Sequence, residues 1–563
     1  MSRNTDSHFG QVPMKNIRRS SFKMPYSYKT TANTSEIIPI MTQEVLPGDT
    51  FKVHTASLAR MLTPIAPVMD NAWMDTYFFF VPNRLVWEHW KEFMGENTTD
   101  AWTQEIQYTV PEIKIPSGGW NKGTLGEKLY GIQGRAGGKN INALYVRAYT
   151  LIFNEWFRNE NITEPADLSK GDAVTNGSNG TDYVVDMQKG GCLAKAVKYA
   201  DYFTRALPEP QKGPDIYLPL GVSAPVIGSG QTVPTIGNGK TLGLIDSLPN
   251  PVGIGINSSG DILASTSWYA QDIGNTSAQA VPINVTESLG VSMDSNSGLV
   301  TTIPSMTADL SSATAATINQ LRQAFAVQRM YEIDARGGTR YTEILRAHFG
   351  VLSPDGRQQR PEYLGGKRIP VNITSVSDTT GGSAPLGTQG AYSVTIDNHD
   401  DFTKSFDEHG MIIGLAVIRT EHSYQQGLDR KFLRKNRTDY YWPSLSNIGE
   451  QYIKEAEIYA TGTSSDDDAF GYQEAWAEYR YNNNKITGEL NSDYAQSLDI
   501  WHYGDDYASA PTLSDAWIRE TDVNVGRTLA IQNQDQFKLD FYFDITAVRP
   551  MPIYSIPSLT GWN

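Results

Sequence analysis

The run FKLDFYFDITA, near the carboxyl end of the chain, constrains the fold more than any other stretch. Apolar side chains occupy every second position from Phe537 to Ala547, and polar or charged side chains alternate with them. Because successive side chains of a strand point to opposite faces, the run predicts a strand with one buried face. A strand cannot cover that face alone, so the chain must supply a second layer against it.

Further strands are predicted at both ends of the chain. The stretch SEIIPIMTQEVLPGDTFKVHTAS indicates two strands joined by a turn at residues 47–49, where glycine tolerates a positive φ. VMDNAWMDTYFFFVP is typical of a buried strand, and MIIGLAVIRT (411–420) of a central one. Strands at the two ends with long insertions between them predict a mainly β sandwich closed by partners distant in sequence.

Three segments between these strands have helical spacing. They are residues 142–157, 192–203 and 316–336. Their apolar residues recur every three or four positions, which predicts helices whose apolar stripes pack in the core. The stripes comprise Leu144, Ala148, Ile152 and Trp156 in the first segment, Leu193, Val197 and Ala200 in the second, and Ile318, Leu321, Phe325 and Ile333 in the third.

Charge is distributed unevenly. The net charge is -15 over 563 residues, which makes a generally basic protein that coats nucleic acid an unfavourable interpretation. The first 30 residues nevertheless carry six cations against one anion, and we interpret residues 1–35 as a basic, extended arm. Residues 221–320 hold one cation and six anions, together with short apolar clusters that a flexible linker would lack. This low-charge tract predicts a folded excursion of short strands and turns.

Sequence motifs for catalysis are weak. GNGKTLG (237–243) lacks the glycine that a phosphate loop needs five positions before Gly239, and neither HExxH nor GxSxG occurs. The lone Cys192 excludes an internal disulfide, and we interpret it as a packed thiol. The acidic run 466–468 lacks the alternating ligands of a calcium loop, which favours a solvated turn. We therefore predict no catalytic residue, cofactor or bound metal, and no apolar run of ~20 residues indicates a membrane span.

One basic cluster, LDRKFLRKNRTDYYWP (428–443), combines cations with aromatic residues. Cations that follow a phosphate backbone and aromatic faces that stack on bases are the combination used for single-stranded nucleic acid. A solvated turn, or arginines bridging to acids of a neighbouring subunit, is the alternative. The candidate nucleic-acid-facing residues of the cluster are Arg430, Lys431, Arg434, Lys435 and Arg437.

Three long segments carry a family resemblance. They are residues 28–96, from YKTTANTSEIIPIMTQEVLPGD onward, 328–366, QRMYEIDARGGTRYTEILRAHFGVLSPDGRQQRPEYLGG, and the closing AVRPMPIYSIPSLTGWN. All three resemble the major capsid proteins of microviruses, small tailless single-stranded DNA phages, and specifically the gokushovirus branch. The resemblance implies an eight-stranded viral jelly-roll β-sandwich with long, partly helical insertions and a surface protrusion.

The resemblance also implies a domain arrangement. The arm at 1–35 would face the capsid interior, residues 36–220 and 311–563 would form the jelly-roll shell domain, and residues 221–310 would rise at the threefold axes as a protrusion. The interior prediction adds Arg18, Arg19 and Lys23 to the nucleic-acid-facing set. Trp268 and Tyr269, the aromatic pair of the low-charge tract, would be available to a receptor.

The implied function is structural. The subunit would associate with itself through twofold, threefold and fivefold contacts into a T=1 icosahedral shell around circular single-stranded DNA. Further implied partners are an internal scaffolding protein, minor DNA-pilot and DNA-binding virion proteins, and a host-cell surface receptor, with assembly in the bacterial cytoplasm. Two alternatives are a carbohydrate-active or carbohydrate-binding β-sandwich, which the 29 tyrosines and 12 tryptophans would suit, and a monomeric β-rich binding protein whose low-charge tract is a surface domain. No enzymatic activity is expected on the capsid interpretation.

Overall fold

The structure, a computed structural model, describes residues 18–97, 108–216, 318–379 and 386–554, and the backbone of six strands between residues 226 and 308. The chain divides into two compact units, Met1–Pro214 with Arg329–Asn563, and Asp215–Gln328. The insertion predicted at 221–310 falls inside the second unit. Its place at the surface of an assembly stays a prediction.

Ten strands of the first unit build a β-sandwich. They are β1 (Ser20–Lys23), β2 (Tyr26–Ala32), β3 (Ile38–Val45), β4 (Thr50–Met61), β5 (Ala72–Pro82), β6 (Glu362–Gly365), β7 (Arg368–Pro370), β8 (Thr395–Ser405), β9 (Gly410–Thr420) and β10 (Phe537–Arg549). One sheet has the order β2-β10-β4-β8, with β1 beside β2 on the same edge of β10. The other has the order β6-β5-β9-β3, with β7 beside β6 on β5. All of these pairs are antiparallel.

The order of the strands identifies a jelly roll. When β1 with β2 and β6 with β7 are each counted as one interrupted edge strand, each sheet has four strands. Strands distant in sequence are neighbours: Tyr26 of β2 pairs with Phe543 of β10, and Val45 of β3 with Gly410 of β9. Two sheets wound in this order form the eight-stranded jelly roll. The mainly β, eight-stranded prediction is confirmed.

The core lies between the two sheets. The alternation predicted for FKLDFYFDITA is confirmed, since its apolar side chains from Phe537 to Ala547 are all buried. Phe543 reaches the opposite sheet, where its ring centroid lies 6.4 Å from that of Phe78. Every residue of β9 is buried, as expected for a central strand flanked by two others. Burial of these apolar faces holds the sandwich together.

The chain turns between β3 and β4 as predicted. Gly48 has a φ of 87°, a conformation that costs little only for glycine. Part of the arm predicted at residues 1–35 is strand of the sandwich rather than a free segment. Residues 20–23 and 26–32 are paired with β10 rather than free, while residues 1–17 lie outside the described part of the chain. The direction in which this segment faces in an assembly stays a prediction.

Two long insertions interrupt the jelly roll, at 83–361 between β5 and β6, and at 421–536 between β9 and β10. The remaining strands of the first unit are Glu112–Lys114, Asn140–Asn142, Thr175–Asn176, Ile373–Ser377, Gln389–Ser393, Glu450–Lys454 and Ala469–Glu474. Strands of the second unit are Val226–Gly228, Leu242–Ile245, Trp268–Asp272, Val281–Val285, Val291–Met293 and Met306–Ala308. The α-helices are Asn83–Val86, Trp90–Phe93, Leu125–Tyr130, Leu144–Ile152, Tyr183–Asp186, Ile318–Gly337, Tyr341–Phe349, Arg430–Leu433, Glu455–Ile458, Asp515–Ile518 and Val523–Arg527.

The helix prediction for 142–157 is confirmed. Leu144–Ile152 is α-helical and continues as one π-helical turn, Phe153–Phe157. Leu144, Ala148 and Ile152 are buried in the main core, and Trp156 packs partly buried against it.

The helix prediction for 192–203 is wrong, because the segment contains no helix: Lys195 and Val197 form isolated β-bridges, and residues 202–203 lie in a turn. Residues four apart share a face in a strand as well as in a helix, so the spacing of Leu193 and Val197 fits both. Tertiary hydrogen bonds decide the outcome. The amide of Ile37 donates to the carbonyl of Ala194, and that of Lys198 donates to Ile518. The segment thus bridges the start of the sandwich and the second insertion.

The helix predicted at 316–336 is present as Ile318–Gly337, but its stripe is not core. Ile318 and Phe325 are exposed, and Ala335 is the one residue of this helix that is buried. Helical periodicity predicted the element correctly and its environment wrongly, since spacing alone does not show what covers an apolar stripe.

Candidate nucleic-acid interface

The predicted basic cluster lies in the second insertion, directly after the central strand β9. Asp429 precedes a single helical turn, Arg430–Leu433, and a 3-10 turn follows at Arg437–Asp439. The carboxylate of Asp439 accepts the backbone N–H groups of Lys435 and Asn436 at 2.8 and 2.7 Å. These short turns hold the five cations on a folded segment rather than a free loop.

Two of the five cations face inward and hold the segment to its own subunit. Arg430 Nη1 lies 2.9 Å from Glu457 Oε1, and Arg434 Nη2 lies 2.9 Å from Glu478 Oε1. The two arginine side chains are only 11% and 9% exposed. Burial raises the pKa of Glu457, against the lowering effect of Arg430. These arginines therefore act first as internal ion-pair partners.

The other three cations are on the surface. Lys431 Nζ lies 2.9 Å from Asp429 Oδ2, and its side chain is 57% exposed. Lys435 and Arg437 are exposed, and neither side chain forms an ion pair with another described residue. Exposed cations without an acidic partner are the ones that can neutralise a phosphate without first losing an ion pair.

Aromatic rings lie beside these cations, as the sequence predicted. Phe432, Tyr440, Tyr441 and Trp442 are all exposed. The guanidinium of Arg437 stands 4.6 Å from the Trp442 ring centroid, and Lys431 Nζ stands 5.1 Å from that of Phe432. A face with cations and open rings has the two components that bind single strands irrespective of sequence.

The structure adds a second segment that sequence reasoning missed. Tyr479 and Tyr481 are exposed, and the ring of Tyr479 lies 4.3 Å from the Arg434 guanidinium. Lys485 shares the carboxylate of Asp429 with Lys431. Burial alone would raise the pKa of Asp429, but these two ammonium groups hold it below its usual value. The run YRYNNNK (479–485) is itself basic and aromatic, and that signal could have identified it.

The remaining predicted contacts lie elsewhere. Arg18, Arg19 and Lys23 are exposed at the amino end of the sandwich, where Arg19 Nη1 donates to the carbonyl of Gly48 at 2.8 Å. Trp268 and Tyr269 lie on the strand Trp268–Asp272, and their side chains lie outside the described part of the structure. The role of all five residues stays a prediction.

Two further candidates have structural explanations. Burial, reinforced by Asp186 and Asp182, raises the pKa of the Cys192 thiol to about 12, as expected for a packed thiol. Asp466 stabilises a turn, because it accepts hydrogen bonds from the backbone N–H groups of Thr461 and Gly462, both at 2.8 Å.

Within the described ranges no group of three or more His, Cys, Asp or Glu side chains is arranged to hold a metal ion. The described helices include none that is both long and apolar enough to cross a membrane.

An eight-stranded jelly roll is a fold of viral capsid proteins, and lectin and cupin domains share it, so the fold alone leaves these classes open. Comparison with known proteins gives the family. Residues 10–559 match the family described as Capsid protein (F protein), and the chain belongs to it.

Three curated relatives align with the chain over nearly their whole length. The chain is 39% identical over 568 residues to the capsid protein VP1 of Bdellovibrio phage phiMH2K, covering 100% of the chain and 99% of the relative. It is 39% identical over 564 residues to VP1 of Spiroplasma virus 4, with 98% and 97% covered. It is 36% identical over 594 residues to VP1 of Chlamydia phage 1, with 98% of each covered. The resemblance to microvirus capsid proteins is confirmed, and the family is one of capsid proteins.

Proposed function

We propose that this chain is the major capsid subunit of a microvirus. Copies of it associate through twofold, threefold and fivefold contacts into a T=1 icosahedral shell that encloses circular single-stranded DNA. The observation that carries the proposal is the near-complete match, at 36–39% identity, to three capsid proteins, on a chain that folds as a jelly roll. This observation favours a capsid over the carbohydrate-binding β-sandwich.

A shell protein functions by assembling with copies of itself into a closed particle. Each subunit makes several modest interfaces, and closed symmetry combines them into one stable particle. A scaffolding protein, DNA-pilot and DNA-binding virion proteins are the proposed partners of assembly in the host cytoplasm. Residues 221–310 of the low-charge tract are proposed to face outward, where Trp268 and Tyr269 are available for host attachment.

The genome-facing surface is proposed to be the face that carries Lys431, Lys435 and Arg437. With a net charge of -15, the subunit as a whole repels DNA, so attraction must come from local patches. Each cation placed near a phosphate releases a condensed counterion, and exposed rings give bases a surface on which to stack. Arg18, Arg19 and Lys23 are proposed to add to the same interior surface.

A double variant of the surface cations tests the genome-facing assignment. Lys435→Ala with Arg437→Ala removes two exposed charges and breaks no ion pair between described residues, whereas a change at Arg430 or Arg434 would remove the ion pair with Glu457 or with Glu478. We expect virions that contain less DNA, or that release it at a lower temperature, from subunits that still fold. The readouts are the ratio of DNA to protein and the temperature of DNA release.

The matched control is Arg135→Ala with Lys139→Ala, which removes two exposed cations from the first insertion. We expect this control to leave both readouts at the wild-type values. Unaltered DNA content and unaltered heat release in the Lys435 and Arg437 variant would refute the assignment.

The attachment proposal has its own test. Replacing residues 221–310 by the corresponding tract of a relative with another host should shift adsorption of the particles toward that host. Unchanged adsorption by particles that assemble normally would contradict it.

A further inference from the structure

A cavity opens beside the basic face, between the two segments that carry its cations and rings. Its volume is about 290 Å³. The residues that line it are Tyr202, Asp429, Arg430, Lys431, Glu457, Glu478, Tyr481, Asn482, Asn483 and Lys485. We propose that this cavity binds one nucleobase of a single-stranded DNA, turned out of the strand that crosses the face. The inference rests on the proposed function and adds a specific ligand and site to it.

The size of the cavity indicates what kind of ligand fits in it. Sites for small molecules usually occupy about 300–1,000 Å³, so this cavity lies at the lower limit and suits one heterocycle better than a stacked pair. Turning a base outward costs least in a single strand, because no base pair has to open. A base in the cavity therefore leaves its backbone on the surface beside Lys431 and Lys485.

One side chain of the lining offers hydrogen bonds that are not yet used. Asn482 lines the cavity and is exposed, and its side-chain amide makes no hydrogen bond to another described residue. An amide both donates and accepts, and base edges carry donors as well as acceptors. A base in the cavity can therefore hydrogen-bond to the Asn482 amide.

The deeper wall is rigid. Tyr202 is buried, and its hydroxyl donates to Glu457 Oε2 at 3.0 Å. Glu457 in turn holds Arg430, whose guanidinium also lies 3.8 Å from Glu478 Oε1. These side chains have partners already, so they shape the cavity, and the amide of Asn482 is left for a ligand.

The rim supplies charge and a flat surface. Lys431 and Lys485 both contact the single carboxylate of Asp429, which leaves one positive charge in excess at the mouth. Tyr481 lines the cavity and is exposed. The exposed Phe432 ring lies 5.1 Å from Lys431 Nζ and 6.0 Å from Lys485 Nζ. A phosphate at the lysines and a neighbouring base on Phe432 fit a strand passing over the mouth.

Binding of two matched oligonucleotides tests the inference. Full-length purified subunit is titrated, by fluorescence anisotropy, with a short single-stranded DNA and with a fully abasic strand of the same length and charge. Wild type should bind the strand with bases at least about tenfold more tightly, the factor that a satisfied hydrogen bond and a stacked base together supply. Asn482→Leu should reduce that preference roughly two- to tenfold, the range of one hydrogen bond, and leave affinity for the abasic strand unchanged.

The control variant is Lys435→Ala, which alters the face outside the cavity. It should weaken binding of both strands by the same factor. Equal binding of the two strands by wild type would overturn the base pocket while leaving the genome-facing surface in place. Failure of wild type to bind either strand would overturn the surface and the pocket together.

A measurement on wild type alone keeps the inference testable if Asn482→Leu does not fold. Photo-cross-linking with a strand that contains 5-iododeoxyuridine should label Tyr481, located by mass spectrometry. Labelling confined to Tyr440, Tyr441 and Trp442 would contradict a base in the cavity.

Discussion

His422 offers the sharpest test of how the insertions are held to the jelly roll. It follows β9 and is buried between two carboxylates, with Nδ1 3.0 Å from Asp505 Oδ1 and Nε2 3.1 Å from Glu520 Oε2. Lys198 Nζ lies 3.1 Å from Asp505 Oδ2. Lys198 lies in the first insertion and the other three residues lie in the second, so the network joins the two insertions. Thr420, the last residue of β9, donates to Glu520 Oε1 at 3.1 Å and connects the network to the sandwich.

The charge state of the network follows from its geometry. Burial alone would lower the pKa of His422, but Asp505 and Glu520 raise it to about 10. Burial would raise the pKa of Asp505, but His422 and then Lys198 hold it well below its usual range. At neutral pH the imidazolium therefore balances carboxylates that water does not reach.

His422→Leu removes that charge, which leaves Asp505 paired with Lys198 alone and Glu520 without an ion-pair partner among the described residues. Breaking a buried ion pair costs roughly 3–5 kcal/mol, a large part of the roughly 5–15 kcal/mol that stabilises a folded domain. We expect the free energy of unfolding of the full-length subunit to fall by about that amount at pH 7, measured by denaturant titration with tryptophan fluorescence.

The pH dependence has a defined sign. The pKa of His422 is raised in the folded state from 6.5 to about 10. Its stabilisation is therefore complete below about pH 6.5 and declines as pH rises toward about 10. The difference between wild type and His422→Leu should accordingly shrink between pH 7 and pH 9.

The control is His54→Leu, which removes a partly exposed partner of Asp400 at 2.9 Å. Surface pairs contribute about 1 kcal/mol or less, so this variant should unfold nearly as wild type does. A loss below about 1 kcal/mol for His422→Leu, or a loss that does not change with pH, would refute the ion-pair reasoning.

Two further predictions concern the core and the lone thiol. Phe543→Ala should lower the free energy of unfolding by about 3–5 kcal/mol, because the buried ring packs 5.2 Å from Tyr26 and against the opposite sheet. Tyr542→Ala, on the exposed face of the same strand, should cost about 1 kcal/mol or less, and equal losses for the two would contradict the sandwich. Cys192, whose thiol pKa burial raises to about 12, should react with iodoacetamide at pH 8 at least about a hundredfold more slowly in the native subunit than in guanidinium. Mass spectrometry measures the modified fraction, and equal rates would show that the thiol is not packed.

The sandwich was predictable where burial and periodicity coincide. In β10 one face is core and the other is solvent, so the alternation was visible in the sequence. In β2, YSYKTTA, the inward residues are mostly half-buried, because the strand lies at an edge of its sheet. A weaker contrast between its faces left this strand unpredicted.

The sequence predicted where the candidate site lies along the chain. It did not predict which of the cations turn inward and which are exposed. The cluster 430–437 is evident from composition, and its exposed rings were expected. That Arg430 and Arg434 turn inward depends on Glu457 and Glu478, which lie 27 and 44 positions further along the chain. Local sequence does not show such partners. The composition of residues 479–485 marks a second basic, aromatic segment, but local sequence does not show that Tyr481 and Lys485 lie beside the cluster 430–437.

The most direct test of the central claim is a cryo-electron microscopy reconstruction of DNA-containing particles formed by this chain. We expect a closed T=1 shell of jelly-roll subunits, with Lys435, Arg437 and Tyr481 against the genome and residues 221–310 on the outside. A subunit that remains monomeric when expressed with its assembly partners, or a shell with this basic face on its outer surface, would contradict it.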